Sequence, residues 1–387
     1  MVFFASTRNY LVWTKRTYSG NKMEFARFNT ANQADFFITL RNRVNHYFES
    51  NHIDKHANTA MKVKTAAMLT MYFVPYGLTM AGLITNPWLY FGMWTLMGFG
   101  MAGIGLSVMH DANHGAYSKN RKTNDRIGLI LNFIGGNAPN WKIQHNQLHH
   151  SFTNIHGADE DIAGKAILRF SPHDTWRPIH RYQHIYAWFL YSLMTISWIT
   201  AKEFKQIAYY RREGLVSEKD FAIEFRRLLF TKVFYLVYTL VIPLIFAPVA
   251  AWVILVSFVF MHLIAGFILS CIFQPAHVIP TSHFPLPDEN GMMENSWAVH
   301  QLNTTSNFAP NNTILSWYVG GLNYQVEHHL FPNVCHVHYK KIAPIVEQTA
   351  KEFGLPYYSA PTFMAALIAH GKTLKAFGHN LPNVSVA

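Results

Sequence analysis

The chain has 387 residues, of which half are hydrophobic and only 14% are Asp, Glu, Lys or Arg. Soluble domains carry roughly 25% of those four residues, so this composition excludes an ordinary water-facing surface. An aromatic content of 15% excludes a disordered or low-complexity chain, and two cysteines, Cys271 and Cys335, are too few for a disulfide framework or a thiolate metal cluster. Histidine is the anomaly: 22 copies stand beside 21 Asp plus Glu, and imidazole is the commonest metal ligand among side chains.

The opening residues MVFFASTRNYLVW offer no apolar core long enough for a secretory signal, and Met23 reads as a plausible translation start. Residues 30 to 64 read as polar amphipathic helix, so 1–65 is expected to form a cytosolic N-terminal helical segment and 66–387 the membrane domain. Ala66 to Ile84 carries no charge, and at about 1.5 Å per residue it matches a hydrocarbon core of about 30 Å. After the turn Thr85-Asn86-Pro87, the uncharged stretch 88–109 makes the return. Segment 186–199 is short and aromatic at both ends, which suits the membrane interface better than a crossing. From Val233 to Phe273 there is again no charge. Pro243 and Pro248 divide this stretch into spans at about 233–250 and 252–273. The expected fold is therefore all-α and integral to the membrane: four transmembrane helices in two hairpins, with a cytosolic helical cap. Lys and Arg crowd residues 110–232 and are missing from the tight loops at 85–87 and 247–251. The positive-inside rule then puts both termini and the long loop in the cytoplasm. Anionic lipid headgroups account for the net charge of +11, so no nucleic-acid partner is called for.

Three histidine clusters lie outside these spans: His110-Asp-Ala-Asn-His114, His145-Asn-Gln-Leu-His149-His150 and Gln325-Val-Glu-His328-His329. In the first two, imidazoles at i and i+4 share one face of a helix. A single HxxxH is usually chance, but two crossings separate the first cluster from the third, so all three fall on one side of the membrane. Seven clustered imidazoles, with His300 as a further candidate, exceed the ligand set of one zinc and point to two metal ions. Imidazole suits Zn, Cu, Fe or Ni and does not choose among them. HExxH, GxSxG and a phosphate-binding glycine loop are all missing. A soluble carboxylate di-iron bundle would need two Glu-x-x-His pairs, and only Glu49-x-x-His52 is present in the N-terminal region.

The strings HDANH, HNQLHHSFTNIHGADEDI and GGLNYQVEHHLFP resemble the three histidine boxes of the integral-membrane fatty acid desaturases, and the match covers most of the chain. Gln325 in place of a box-three histidine resembles the front-end members, which insert a double bond between an existing one and the carboxyl end. The resemblance implies two irons held by His110, His114, His145, His149, His150, His328 and His329, with dioxygen as co-substrate. It carries over Gln325 as a site residue and His300 as a further ligand. The fused haem domain of many eukaryotic front-end members, with its His-Pro-Gly-Gly motif, has no counterpart here. A separate electron donor is therefore expected, a b-type cytochrome or a ferredoxin with its reductase, alongside a fatty acyl substrate and membrane lipid.

Asp159 and Asp161 stand just after box two, where they either orient ligand histidines through Nδ1–H bonds or cap a helix. His262, inside the last span, is either a packed neutral histidine or a residue of the acyl path. His277, His283, His336 and His338 are expected near the site without an assigned role. A hydroxylase or sphingolipid desaturase of the same superfamily would look alike at this level. A metal transporter would place its ligands at mid-membrane, where only His262 is found.

Overall fold

The computed structural model describes residues 26–31, 33–163 and 166–381; Met23 lies outside them. The molecule is mainly helical, and capping residues set where several of its helices begin. Helix α1 (Ala34–Ser50) buries Phe36, Leu40, Val44 and Phe48, a spacing of four that makes one apolar stripe. Asn58 caps α2 (Thr59–Met80) by accepting from the Met61 amide. Asn86 caps α3 (Pro87–Asn113) in the same way, with Pro87 at its first position.

Residues 138–152 form α4, whose middle, Lys142–His149, is π-helical. A helical run over 183–212, broken at Leu193, is α5. Helices α6 (Glu218–Phe246) and α7 (Ala251–His277) follow, then the short α8 (Trp297–Thr304) and α9 (Gln325–Leu330), and finally α10 (Tyr339–Glu352) and α11 (Phe363–Gly378). The expectation of an all-helical chain misses two small parallel strand pairs, Arg27–Phe28 with Met292–Met293 and Asn307–Phe308 with Ser359–Ala360.

Among the described residues, α3, α6 and α7 are long and apolar enough to cross a membrane, with 27, 29 and 27 residues. The first expected span lies in α2, which starts at Thr59 and not at 66. Lys62, Lys64 and Pro75 dilute its apolar character, and the 65/66 boundary falls inside the helix. The third expected span also begins early, at Glu218. Pro243 does not end it: the π-turn Val237–Val241 comes first, so the proline opens a fresh helical segment, where its missing N–H is no loss. The chain breaks only at 247–250. The expected interfacial segment 186–199 is the middle of the longer α5, which lies against α7. A Cβ on Gly266 of α7 would come within 2.5 Å of the Ser192 carbonyl, so only glycine permits that approach.

Helices α2, α3 and α7 pack side by side around Tyr72, Trp94, Met97, Met101, Met261 and Leu269. A second core joins the stripe of α1 to Leu302, Val326, Leu330, Ile342 and Val346. The N-terminal helix thus seals the region of the third histidine cluster.

Candidate metal centre

Four structural features converge on one place. The C-terminal turn of α3 carries His110, with His114 at its C-cap. Just before it the helix widens into a π-turn, Ile104–Val108, and the loop ahead of box three packs there. Gly320 has φ 63°, and a Cβ on it would stand 2.3 Å from the Leu106 carbonyl, which explains the glycine in Gly-Gly-Leu-Asn-Tyr. Box two lies on the π-helical stretch of α4, where bonding is i to i+5. His145 therefore comes together with His150, five residues on, with their Nε2 atoms 3.3 Å apart. His149 stays beside His145 as expected, their rings stacked 5.3 Å apart between centres and both next to Asp161. Helix α9 supplies His328 and His329, and the last residue of α7 is His277.

Together these form two adjoining groups. In the first, ring nitrogens of His110, His114, His145 and His328 lie within 4.8 Å of one another; in the second, those of His149, His277 and His329 do. His150 joins them, forming a third such group with His328 and His329. Each His-His pair of boxes two and three thus straddles the two groups. Apart from the half-buried His114, all of these residues are buried.

Several of the outer ring nitrogens are held by the protein, whereas His150 Nδ1 is buried with no partner among the described residues. His149 Nδ1 lies 3.1 Å from both carboxylate oxygens of Asp159, and Asp161 sits 3.6 Å from His149 and 3.8 Å from His145. His328 Nδ1 faces the Tyr339 hydroxyl at 3.2 Å, His277 Nδ1 the Thr304 carbonyl at 3.2 Å, and His329 Nδ1 the Gln301 amide oxygen at 2.8 Å. Burial, reinforced by neighbouring imidazoles, pushes His114, His150, His328 and His329 well below the usual histidine range. They are neutral, with lone pairs free. Burial opposes charge on His149 too, but Asp159 and Asp161 outweigh it and lift that residue to about 9. Burial resists ionisation of Asp161, yet His149 and His145 hold it below the usual carboxylate range. The carboxylates that favour a proton here also favour a cation.

Some inner nitrogens have no partner among the described residues, and others face only one another. His114 Nε2, His277 Nε2 and His329 Nε2 are buried without a hydrogen-bond partner. His150 Nε2 faces His328 Nε2 at 2.9 Å, and His110 Nε2 faces His145 Nε2 at 3.2 Å. Two neutral imidazoles cannot both donate across such a contact, and buried orphan acceptors cost about 1–3 kcal/mol each. Metal ions within the two groups would resolve all of this at once, so the residues fit a pair of cations bound by imidazole.

The structure brings together His110, His114, His145, His149, His150, His328 and His329, with Asp159 and Asp161 beside them. It does not bring His300 to the cluster. That ring turns to donate Nε2–H to the Thr153 carbonyl at 2.7 Å and edges Phe28. His277 stands where His300 was expected. The sequence offered a signal for it: His277 closes the last apolar helix at the end matching His110, two crossings later. Gln325 is buried with its Nε2 unpartnered, one helical turn from His328. His262 has both nitrogens satisfied, by the Tyr235 hydroxyl at 2.9 Å and Thr195 Oγ1 at 3.0 Å, which favours packing over the acyl path. His336 pairs with Asp111 at 2.8 Å and with Lys64 at 2.6 Å, tying α2 to the end of α3. His338 faces the His56 carbonyl at 3.2 Å, and His283 is exposed.

The family model of the fatty acid desaturases matches residues 86–361. The chain belongs to that family. It is 39% identical to the sn-1 linoleoyl-lipid 6-desaturase of Arthrospira platensis, over 88% of this chain and 92% of that one. It is 38% identical to the acyl-lipid (8-3)-desaturase of Physcomitrium patens, over 90% of this chain and 72% of the relative. A sn-1 linoleoyl-lipid 6-desaturase of Synechocystis is 33% identical over 89% and 95%. This desaturase is accordingly an oxidoreductase acting on fatty acyl chains, with membrane-capable helices and histidine groups that suit iron.

Proposed function

We propose that this desaturase is a four-span membrane enzyme of front-end regiochemistry that acts on polyunsaturated acyl chains esterified in lipid. It would use two irons, held by His110, His114, His145 and His328 on one side and by His149, His277 and His329 on the other, with His150 between. The observation that carries the reading is the convergence of these buried imidazoles, with orphaned inner nitrogens. The names of the relatives from Arthrospira, Synechocystis and Physcomitrium support the lipid-linked substrate and the position of insertion.

The overall reaction is R–CH2–CH2–R′ plus O2, two electrons and two protons, giving R–CH=CH–R′ and two waters. The irons, when bound, would supply the dioxygen chemistry that takes two hydrogens from adjacent methylenes. The protein holds the methylene pair in place and keeps water away. Trp141 and Phe273 do the second job: Trp141 lies 4.5 Å from His145 and 5.6 Å from His110 between ring centres, and Phe273 lies 6.0 Å from His145. An acyl chain arriving along the apolar core of α3 and α7 would meet this wall. Electrons would come from a b-type cytochrome or a ferredoxin.

The same convergence supports the proposed topology. Helices α3 and α7 both deliver a histidine from their C-terminal ends, so they run parallel, and α6 must return the chain to the far side. With α2 paired to α3, the count is four crossings, and both termini share the cytoplasmic face with the histidines. Outside the spans, Ile185 and Phe189 of α5 are each 65% exposed, and Met364 of α11 is 62% exposed, as suits helices lying in the lipid interface.

Expression in a host lacking polyunsaturated lipid, fed linoleate, tests the reading. Mass spectrometry should find a new double bond on the carboxyl side of the existing ones. Insertion only toward the methyl end, or preference for a saturated chain, would move the enzyme to another subclass; a hydroxylated product would make it a hydroxylase.

A further inference from the structure

The helix before box three, Trp297–Thr304, carries no metal-binding nitrogen toward the centre, yet three of its side chains reach the end of the box-two helix. Trp297 Nε1 donates to the His150 carbonyl at 3.0 Å, His300 Nε2 to the Thr153 carbonyl at 2.7 Å, and Gln301 Nε2 to the His150 carbonyl at 3.2 Å. These positions are i, i+3 and i+4, so one face of α8 serves the carbonyls that a helix C-terminus leaves unpaired.

Gln301 does something more, and hydrogen-bond logic fixes what it is. The residue is fully buried. A carbonyl only accepts, so the side of the Gln301 amide facing His150 must be its NH2. The amide oxygen is therefore on the other side, where Thr153 Oγ1 donates to it at 3.0 Å and His329 Nδ1 lies 2.8 Å away. An oxygen acceptor there requires the proton of neutral His329 to sit on Nδ1. Its Nε2 then carries a lone pair, and that atom is buried, unpartnered and grouped with His149 and His277.

We propose that Gln301 is a positioning residue that selects the Nε2-acceptor tautomer of His329 and, by its second bond, locks the box-three ligand to the end of box two. The inference rests on the proposed iron pair. Isolated imidazole has two tautomers, and only one presents the inner nitrogen. An acceptor of this kind behind a ligand histidine is worth about 10–100-fold in metal affinity.

The test uses the full-length, iron-loaded protein with Gln301→Met, which keeps volume and removes the acceptor, and Gln301→Glu, which keeps an oxygen acceptor for His329 and puts a carboxyl oxygen in place of the donor to His150. Iron retention against a chelator should fall about 10–100-fold in Gln301→Met and stay near wild type in Gln301→Glu. The Mössbauer signature of one iron should shift in Gln301→Met while the other is unchanged. In turnover, kcat should fall with KM for the acyl substrate unaltered. Equal iron retention in Gln301→Met and wild type, or equal losses in Gln301→Met and Gln301→Glu, would overturn the assignment. Wild-type protein without iron would instead count against the iron pair itself.

Discussion

At the scale of single residues, the geometry separates histidines that the sequence makes look alike. His277 and His300 lie on either side of the same connection, and each is buried. His300 Nε2 is spent on the Thr153 carbonyl at 2.7 Å, whereas His277 Nε2 has no partner and sits with His149 and His329. His277→Ala is expected to lower bound iron and reduce turnover at least about 100-fold, because it removes a proposed ligand. His300→Ala should keep most of its iron and lose roughly 1–2 kcal/mol of stability through an unpaired carbonyl. Elemental analysis and thermal unfolding of the two variants check this, and the opposite ranking would restore His300 to the ligand set. The box residues were legible because spacing and type alone mark them. Gln301 and Asp111 were not: a glutamine becomes informative only when its neighbours show which face of the amide must accept. Asp159 was open to two readings, and it caps no helix, because the residues around it form turns. It lies 3.1 Å from His149 Nδ1 and accepts from the Asn154 and Asp161 amides of its own loop.

At the scale of elements, helical periodicity read from sequence assumes 3.6 residues per turn, and this enzyme departs from that where it matters. Lys142–His149 is π-helical, which brings His150 to His145 while His149 stacks on His145 and meets Asp159. Such turns arise at functional sites and come from one extra residue in a helix. Gln147 is exposed in this turn, so deleting it removes little packing. The deletion should restore α-helical winding and rotate His149 and His150 by about 100° relative to His145. Iron binding is expected to be lost with little change in helix content, read by elemental analysis and circular dichroism. Retained iron would show that the π-turn is not what divides the histidines. The span ends were poorly legible for a related reason. Charge marks where a helix can leave lipid, not where it stops, so α6 begins at Glu218 and α2 at Thr59. Pro243 is accommodated by the π-turn before it.

At the scale of the whole molecule, the arrangement has one requirement: the C-terminal ends of α3 and α7, the box-two helix and α9 must share one side of the bilayer. Parity of the expected spans sets the same condition, and α3 and α7 run in one direction, with Gly98 beside Met261 and Gly105 beside Leu269. Single cysteines at 120, 205 and 340, all exposed positions, are expected to resist a membrane-impermeant thiol reagent in intact cells and to react after lysis. Cys271 and Cys335 are buried, so background labelling should be low. Labelling of any of the three from outside would break the shared site. The burial of α1 against α9 and α10 adds that the N-terminal helix belongs to the catalytic body, an arrangement that neither charge nor hydropathy announces. The claim on which everything else depends is that two irons occupy the paired imidazole groups. Elemental analysis of the purified enzyme, with His149→Ala beside it, tests this most directly. The wild-type chain should hold two irons, and His149→Ala should lose at least one of them together with desaturation; a chain with no iron, or a variant retaining both irons and full activity, would contradict the account.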